Sequence, residues 1–454
     1  MHLILNIYAD VFIKNREECF KISSLNESGN ADNVTWLQKN FLHCPYRVFT
    51  AMFCIYIAFG FIYARPEEIM RGLWTIIINP DILVTDYIAT AGIGATYVNV
   101  ALSGLLVILV LMLIKHEPTG LTIGTFGLVM GFAFFGKNPV NMAPIILGGF
   151  FYSLGTKEPI NKCILPPILA TCLGPTVTQL AFIEHLNTGL GITLGIIIGI
   201  TIGLIINPIA KALRANYESY NLYNVGFAAG MVAIGIMVIF RITGIEFTTL
   251  SIWSEGYNTE LMVLLLVISL YFIICGLLSS GKSKFLEIAH MQTDDLDFYM
   301  LFGGRSYINM GLMGLLCFLF MLAVRGDYNG PVIGAIMSAV GFGALGKRIL
   351  SAIPLMAGAM LAALAASLTM GMPLNSRGFL VAAVFSTCLS PLCTKFGWKW
   401  GVIAGFIHLC FASNVTDFHG GMNLYNNGLA AGLTAMLLLP VIRVIPEFKR
   451  KKKD

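Results

Sequence analysis

The sequence predicts an all-α polytopic membrane protein, with about fourteen membrane segments, some of them re-entrant, in two inverted-topology repeats. Three observations predict it: the composition, an internal duplication, and the placement of basic residues. Of 454 residues, 57% are hydrophobic and 12% charged, and the mean hydropathy is +0.78, far outside soluble globular usage. In water such a chain would expose large apolar patches. A bilayer accepts them and requires only that backbone polar groups be satisfied within helices. The 47 glycines suit the same class, because small residues let transmembrane helices approach closely.

Apolar stretches suitable for membrane insertion fall at residues 47–64, 98–114, 121–136, 140–156, 163–182, 188–208 and 222–241. A second set follows at 259–279, 308–324, 331–346, 350–369, 378–394, 398–413 and 424–444. Several are shorter than the roughly twenty residues a perpendicular span needs and read as half-helices. This divides the chain into an N-terminal arm (1–46), a first membrane repeat (47–241), a linker (242–258), a second repeat (259–444) and a basic tail (445–454). The arm has a short apolar start followed by Lys14, Arg16, Glu17 and Glu18, which reverses the charge order of a cleavable signal peptide.

The duplication is explicit in the residues. A shift of 210 positions superposes Gly94 on Gly304, Tyr97 on Tyr307, Asn99 on Asn309, and Gly104-Leu105-Leu106 on Gly314-Leu315-Leu316. Without a gap, it also superposes Gly120 on Gly330, Gly131-Phe132 on Gly341-Phe342, Gly136-Lys137 on Gly346-Lys347, and Pro144 on Pro354. Further along, Thr171-Cys172-Leu173-Gly174-Pro175 matches Thr387-Cys388-Leu389-Ser390-Pro391, and Asn221-Leu222-Tyr223-Asn224 matches Asn423-Leu424-Tyr425-Asn426.

Basic residues set the orientation, because positively charged loops stay cytoplasmic. With the N-terminus inside and an odd number of crossings per repeat, Lys157, Lys162, Lys211, Arg214, Lys282, Lys284, Lys395 and Lys399 all fall on the cytoplasmic side. Arg65, Arg71, Lys137, Arg241, Arg325 and Arg377 are the exceptions. An odd repeat inverts the second half, the duplication found in secondary transporters and in some channels. Both termini are then cytoplasmic, and the linker near Trp253 is outside.

The repeated NLYNxGxAAG signature and its paired TCLxP resemble a family of uncharacterised, duplicated bacterial membrane proteins, domain of unknown function 1576, seen mainly in clostridia and their relatives. The resemblance covers essentially the whole chain; it implies a location in a bacterial cell membrane and brings no substrate or residue roles. A fainter similarity to urea transporters lies in Asn99-Val100-Ala101-Leu102-Ser103-Gly104-Leu105-Leu106, although the spacing to the later Tyr-Asn motif departs from theirs.

Paired breaks in membrane segments are where the substrate site of a duplicated transporter is sought. Lys137 and Lys347 either lie at membrane depth in re-entrant hairpins, where they would hold an anionic substrate, or snorkel to headgroups from an interfacial turn. In TCLxP, Pro175 and Pro391 free carbonyls one turn earlier. Thr171, Thr178, Thr387 and Thr394 add hydroxyls, giving either hard-oxygen ligands for a coupling cation or an ordinary proline kink. Asn221, Asn224, Asn423 and Asn426 place amides at the start of an apolar segment, as substrate ligands or as helix caps. Asn99 and Asn309 complete the expected substrate-binding set. Asp86 and Asp297, each followed by an aromatic residue, read as caps; Asp294 and Asp295 read as solvated loop. His408, Asp417 and His419 occur in the second half alone and offer a proton-coupling alternative.

No GxxxxGK[ST], GxSxG or HExxH sequence occurs, so an ATP-driven pump within this chain and an enzyme of those types are not expected. The expected function is secondary active transport of a small polar, anionic solute by alternating access, coupled to Na+ or H+, with no other cofactor. A passive channel or facilitator resembling urea transporters is the alternative, and a membrane-embedded enzyme a weaker one. Expected partners are the lipid bilayer and a small-molecule or ion substrate, not nucleic acid; the sequence is compatible with a homo-oligomer.

Overall fold

The computed structural model describes residues 41–79, 84–183, 187–216, 218–244, 247, 251–280, 297–424 and 426–451. The arm before residue 41, Asp294, Asp295, Tyr425 and the end of the basic tail lie outside them. The described backbone is helical. In the first half the helices are α1 (Pro45–Tyr63), α2 (Pro66–Ile78), α3 (Tyr87–Ala91), α4 (Ile93–Leu113), α5 (Gly120–Phe132), α6 (Pro139–Thr156), α7 (Ile160–Cys163), α8 (Leu165–Ala170), α9 (Gly174–Ala181), α10 (Thr188–Arg214) and α11 (Asn224–Ile242). In the second they are α12 (Asn258–Ser280), α13 (Phe298–Phe302), α14 (Ser306–Ala323), α15 (Gly330–Gly341), α16 (Ile349–Met370), α17 (Arg377–Ser386), α18 (Ser390–Phe396), α19 (Trp398–Asn414), α20 (Thr416–His419) and α21 (Asn426–Lys451).

Every one of the apolar stretches falls on helix, but they are not all spans. Among the described residues, nine helices are long and apolar enough to cross a membrane, some of them continuing through a short 3-10 turn. The stretches outside that group are α5, α6, α15, α19 and the broken helix α8–α9. A helix of thirteen or twelve residues, such as α5 or α15, extends about 20 Å, well short of a hydrocarbon core about 30 Å thick.

The surroundings of α5 and α15 compensate for that shortness. All of α15 and all of α5 except Leu121 are buried, so these two repeat-equivalent helices form the centre of the molecule. They pack against each other and run antiparallel. Gly120 lies at Ala344, Gly127 at Gly341, and Gly131 at Gly334. A Cβ on Gly127 would fall 2.6 Å from the Gly341 Cα, so glycine here sets how closely the backbones cross. Around this centre each half repeats one arrangement: α1 packs on α4 as α12 packs on α14, and α6 on α10 as α16 on α19.

The helix α2 was not among the apolar stretches. Its start is nevertheless written in the sequence: Pro66 at the first helical position, and Glu68 accepting from the Arg65 N–H at 2.8 Å. It buries Ile69, Gly72 and Ile76 and exposes Met70 and Trp74.

Two aspartates join the halves at the ends of the central pair. Asp86 caps α3 by accepting from Ile88 N at 2.9 Å, and also accepts from Gly330 N, the first residue of α15, at 2.9 Å. Asp297 caps α13 by accepting from Met300 N at 2.9 Å, and also takes Gly120 N, the first residue of α5, at 2.9 and 3.0 Å. Each half therefore places a carboxylate at the positive end of the other half's central helix. The linker joins in, with Ser254 donating to Asp86 through N (2.9 Å) and Oγ (2.7 Å).

Candidate functional site

The three repeated motifs assemble across the halves. Just after α5 and α15 the chain turns at Gly136 (φ 94°) and Gly346 (φ 77°), a left-handed conformation that favours glycine. The turns are pinned by equivalent asparagines: Asn99 Nδ2 donates to the carbonyls of Ala133 (2.8 Å) and Lys137 (2.9 Å), and Asn309 Nδ2 to those of Gly343 (2.7 Å) and Lys347 (2.8 Å). The two asparagines thus position the lysines that follow.

Both lysines are 0% exposed, so the snorkelling alternative is not the one the structure adopts. Lys347 Nζ donates to the Tyr223 hydroxyl at 2.8 Å and lies 4.9 Å from that ring's centre. Lys137 Nζ lies 5.4 Å from the centre of the Phe132 ring and has no hydrogen-bond partner among the described residues. Neither ammonium has a carboxylate within ion-pair distance among those residues. An unpaired charge buried this way costs several kcal/mol by order of magnitude.

The proline breaks form the joints between the halves. Leu222 N donates to the Cys388 carbonyl at 3.2 Å, and the equivalent Leu424 N to the Cys172 carbonyl at 3.0 Å. Each NLYN segment is thereby docked on the other half's TCL turn, a 3-10 turn over Thr171–Leu173 or Thr387–Leu389. The threonine hydroxyls donate to backbone one turn earlier: Thr171 to Ile168 (2.6 Å), Thr178 to Gly174 (3.4 Å), Thr387 to Val384 (2.6 Å) and Thr394 to Ser390 (2.9 Å). These bonds brace the kink.

Asn224 and Asn426 spend their side-chain amides on a neighbouring helix. Asn224 Nδ2 reaches the Ala210 carbonyl at 3.2 Å, and Asn426 Nδ2 the equivalent Ala412 carbonyl at 2.8 Å. These bonds tie the start of α11 and of α21 to the preceding long helix. Asn221 Oδ1 accepts from Tyr223 N at 2.9 Å, while its buried Nδ2 has no partner among the described residues.

Sequence reasoning gave no role to the aromatic residues here. Tyr223 packs edge-on against Phe342 (4.7 Å) and Phe385 (5.9 Å), and Phe385 lies 6.0 Å from Phe132. Together with the two lysines they form a layer across the middle. The available signal was recurrence, since Tyr223, Phe132 and their counterparts sit inside the repeated motifs.

A cavity lies on either side of this layer. One, of about 690 Å³, is lined by Leu121 at the start of α5, by Phe342 and Leu345 beyond α15, and by Asn221, Tyr223 and Asn224, with Lys211, Arg214, Glu158 and Glu218 toward its mouth. The other, of about 300 Å³, is lined by Pro331 at the start of α15, by Phe135 beyond α5, and by Phe385, Leu424, Asn426 and Asn427, with Trp253 nearby. They lie at opposite ends of the antiparallel α5–α15 pair. Their linings are repeat-equivalent, Leu345 matching Phe135, Asn224 matching Asn426, and Ala210 matching Ala412.

No curated protein and no solved structure matches the chain. A family model described as a protein of unknown function (DUF1576) matches residues 65–242 and again 282–444, one region in each half. The chain with these two cross-docked halves belongs to the DUF1576 family.

Proposed function

We propose that the protein is a secondary active transporter of a small anionic solute, working by alternating access between two inverted halves in the bacterial cell membrane. The observation that carries this reading is the inequality of two repeat-equivalent cavities, about 690 and 300 Å³, at opposite ends of one antiparallel helix pair. In an inverted duplication the two halves can exchange conformations, which closes the wide cavity and opens the narrow one. A passive pore has no need of that asymmetry. The antiparallel crossing of α5 and α15 and the reciprocal Asp86 and Asp297 contacts support the inversion. The basic residues at the mouth of the wide cavity, Lys211 and Arg214, favour a cytoplasmic opening.

The anionic character rests on hydrogen-bond capacity. Among the described residues, the buried groups without a hydrogen-bond partner beside the aromatic layer include Lys137 Nζ and Asn221 Nδ2, both donors. An oxyanion satisfies them and neutralises charge; a cation does neither. Purified protein in sealed vesicles, given radiolabelled small carboxylates and an imposed Na+ or pH gradient, tests the reading. Accumulation above the external concentration is expected, and abolition of it by Lys137→Gln with Lys347→Gln. Equilibration alone, whatever the gradient, would assign the chain to passive facilitators.

A further inference from the structure

The second half carries a polar cluster that the first half lacks. Where the first repeat has Ile206 and Val225, the second has His408 and Asn427, and their side chains meet: His408 Nε2 lies 3.2 Å from Asn427 Oδ1. Nearby, His419 Nε2 lies 3.0 Å from Asn426 Oδ1. Asn426 Nδ2 is occupied by the Ala412 carbonyl (2.8 Å) and Thr416 Oγ1 (2.9 Å). An amide oxygen can only accept, so the hydrogen of each imidazole sits on Nε2 and Nδ1 is left as a bare lone pair. Both rings are 0% exposed, and neither Nδ1 has a hydrogen-bond partner among the described residues. Asn426, Asn427 and Thr416 line the narrow cavity.

The charged surroundings are sparse. His419 shares its short helix with Asp417, whose carbonyl accepts from Arg241 of α11 at 2.5 Å. Against His408, α16 presents no titratable side chain. Arg377 of α17 is ion-paired with Glu255, and Arg443 of α21 with Glu218. Cys393 of α18 lies by Gly401, with Lys395 on the same short helix, about two turns of α19 from His408. The TCL turn contributes Cys388.

We propose that His408 and His419 form a proton-binding site that couples protons to the opening of the narrow cavity, so that the protein moves its anion together with protons. The inference rests on the transporter reading above. A proton arriving through the narrow cavity binds Nδ1 and converts a lone pair into an N–H that has no acceptor in the closed cluster. The charged form is relieved when the cavity opens to water, and its positive charge then draws an anion toward Asn426 and Asn427. Loss of the proton on the other side restores the closed cluster. Because the cluster exists in one half only, protonation biases one of the two otherwise equivalent states.

The test uses the full chain in lipid vesicles with two single-cysteine reporters on a cysteine-free background, Ser413→Cys at the narrow cavity and Ser219→Cys at the wide one. Labelling by an impermeant maleimide is normalised to free cysteine at each pH. As pH falls from about 8 to about 5.5, across the imidazole range, labelling at position 413 is expected to rise and at 219 to fall, each about tenfold, the effect of one pKa unit. His419→Gln, which keeps a donor for Asn426, and His408→Gln should each flatten that response. Deuterium exchange at the imidazole C2 positions, which needs no histidine variant, should show both rings titrating in the same window. An unchanged pH response in both variants, or rings that stay neutral throughout, overturns proton coupling and leaves alternating access standing. Reporters that never move in opposite senses, with pH or with added carboxylate, overturn both.

Discussion

The Gly120 amide and the Asp297 carboxylate, 177 positions apart in the chain, meet at 2.9 and 3.0 Å. The mirror contact joins Gly330 to Asp86 at 2.9 Å. The Asp86 carboxylate also accepts from Ile88 N and from Ser254 N and Oγ. Asp86→Ala leaves several buried donors unsatisfied, at about 1–3 kcal/mol each. It is therefore expected to lower thermal stability in detergent far more than Ser254→Ala, which removes only one of those bonds. Equal losses would mean that the bonds from Gly330 and Ile88 to Asp86 contribute nothing.

The glycine crossing makes a second prediction with an internal control. Gly127→Ala puts a methyl group against Gly341 and the Met337 carbonyl and should cost about 1–3 kcal/mol as overpacking. Gly235→Ala, on the same half but with nothing within 4 Å of its new Cβ, should be neutral or stabilise by up to about 1 kcal/mol through helix propensity. Melting temperatures of the two variants decide it.

How much of this was legible in the sequence follows from which interactions are local. Apolar segments and the duplication can be read because hydrophobicity and recurrence belong to single stretches of chain. Asp297 could be read as a cap for the residues that follow it, since that contact spans three positions. Its bond to Gly120 could not, because it depends on how the halves cross. The asparagines of the signature show the same limit. Their position suggests capping, yet the fold gives Asn224 and Asn426 carbonyls on α10 and α19. The helix α2 was missed because its apolar face is one side of a short amphipathic helix, which hydropathy averages away.

Tyr223 and Lys347 predict a coupled pair. Tyr223→Phe removes the hydroxyl that accepts from the ammonium and is expected to destabilise by about 1–3 kcal/mol, the penalty for a buried group left unsatisfied. Adding Lys347→Met removes the charge as well and should recover most of that loss. Additive effects in this double-mutant cycle would show that the bond carries no energy.

His116, in the loop between α4 and α5, predicts a pH dependence. Burial lowers its imidazole pKa, opposed by the bond to the Asn161 carbonyl. The folded state therefore prefers the neutral ring. Its contribution is complete above the ordinary value of about 6.5 and is lost as pH falls through the folded value. Thermal stability should decline as pH falls from about 6.5 to the folded value in the native chain and decline less in His116→Gln. Identical pH profiles would assign the acid sensitivity to other groups.

The two asparagines of the first signature predict opposite phenotypes, and this separates ligand binding from packing. Asn224 spends its Nδ2 on the Ala210 carbonyl, holding the start of α11 against α10, so Asn224→Ala should lower stability and leave anion affinity near its native value. Asn221 keeps a buried Nδ2 without a partner among the described residues while lining the wide cavity. Its Oδ1 contributes one local turn bond to Tyr223 N, worth about 1 kcal/mol when lost. Asn221→Ala should therefore fold, with a small loss of stability. If the free Nδ2 donates to the transported anion, the variant binds it about 1–3 kcal/mol more weakly, because the anion loses a charge-assisted bond. Calorimetry with the carboxylate that vesicles accumulate measures the difference directly. Native affinity in Asn221→Ala would move the binding position away from the signature and toward the Lys137 ammonium, whose neutralisation by Lys137→Gln then becomes the deciding variant.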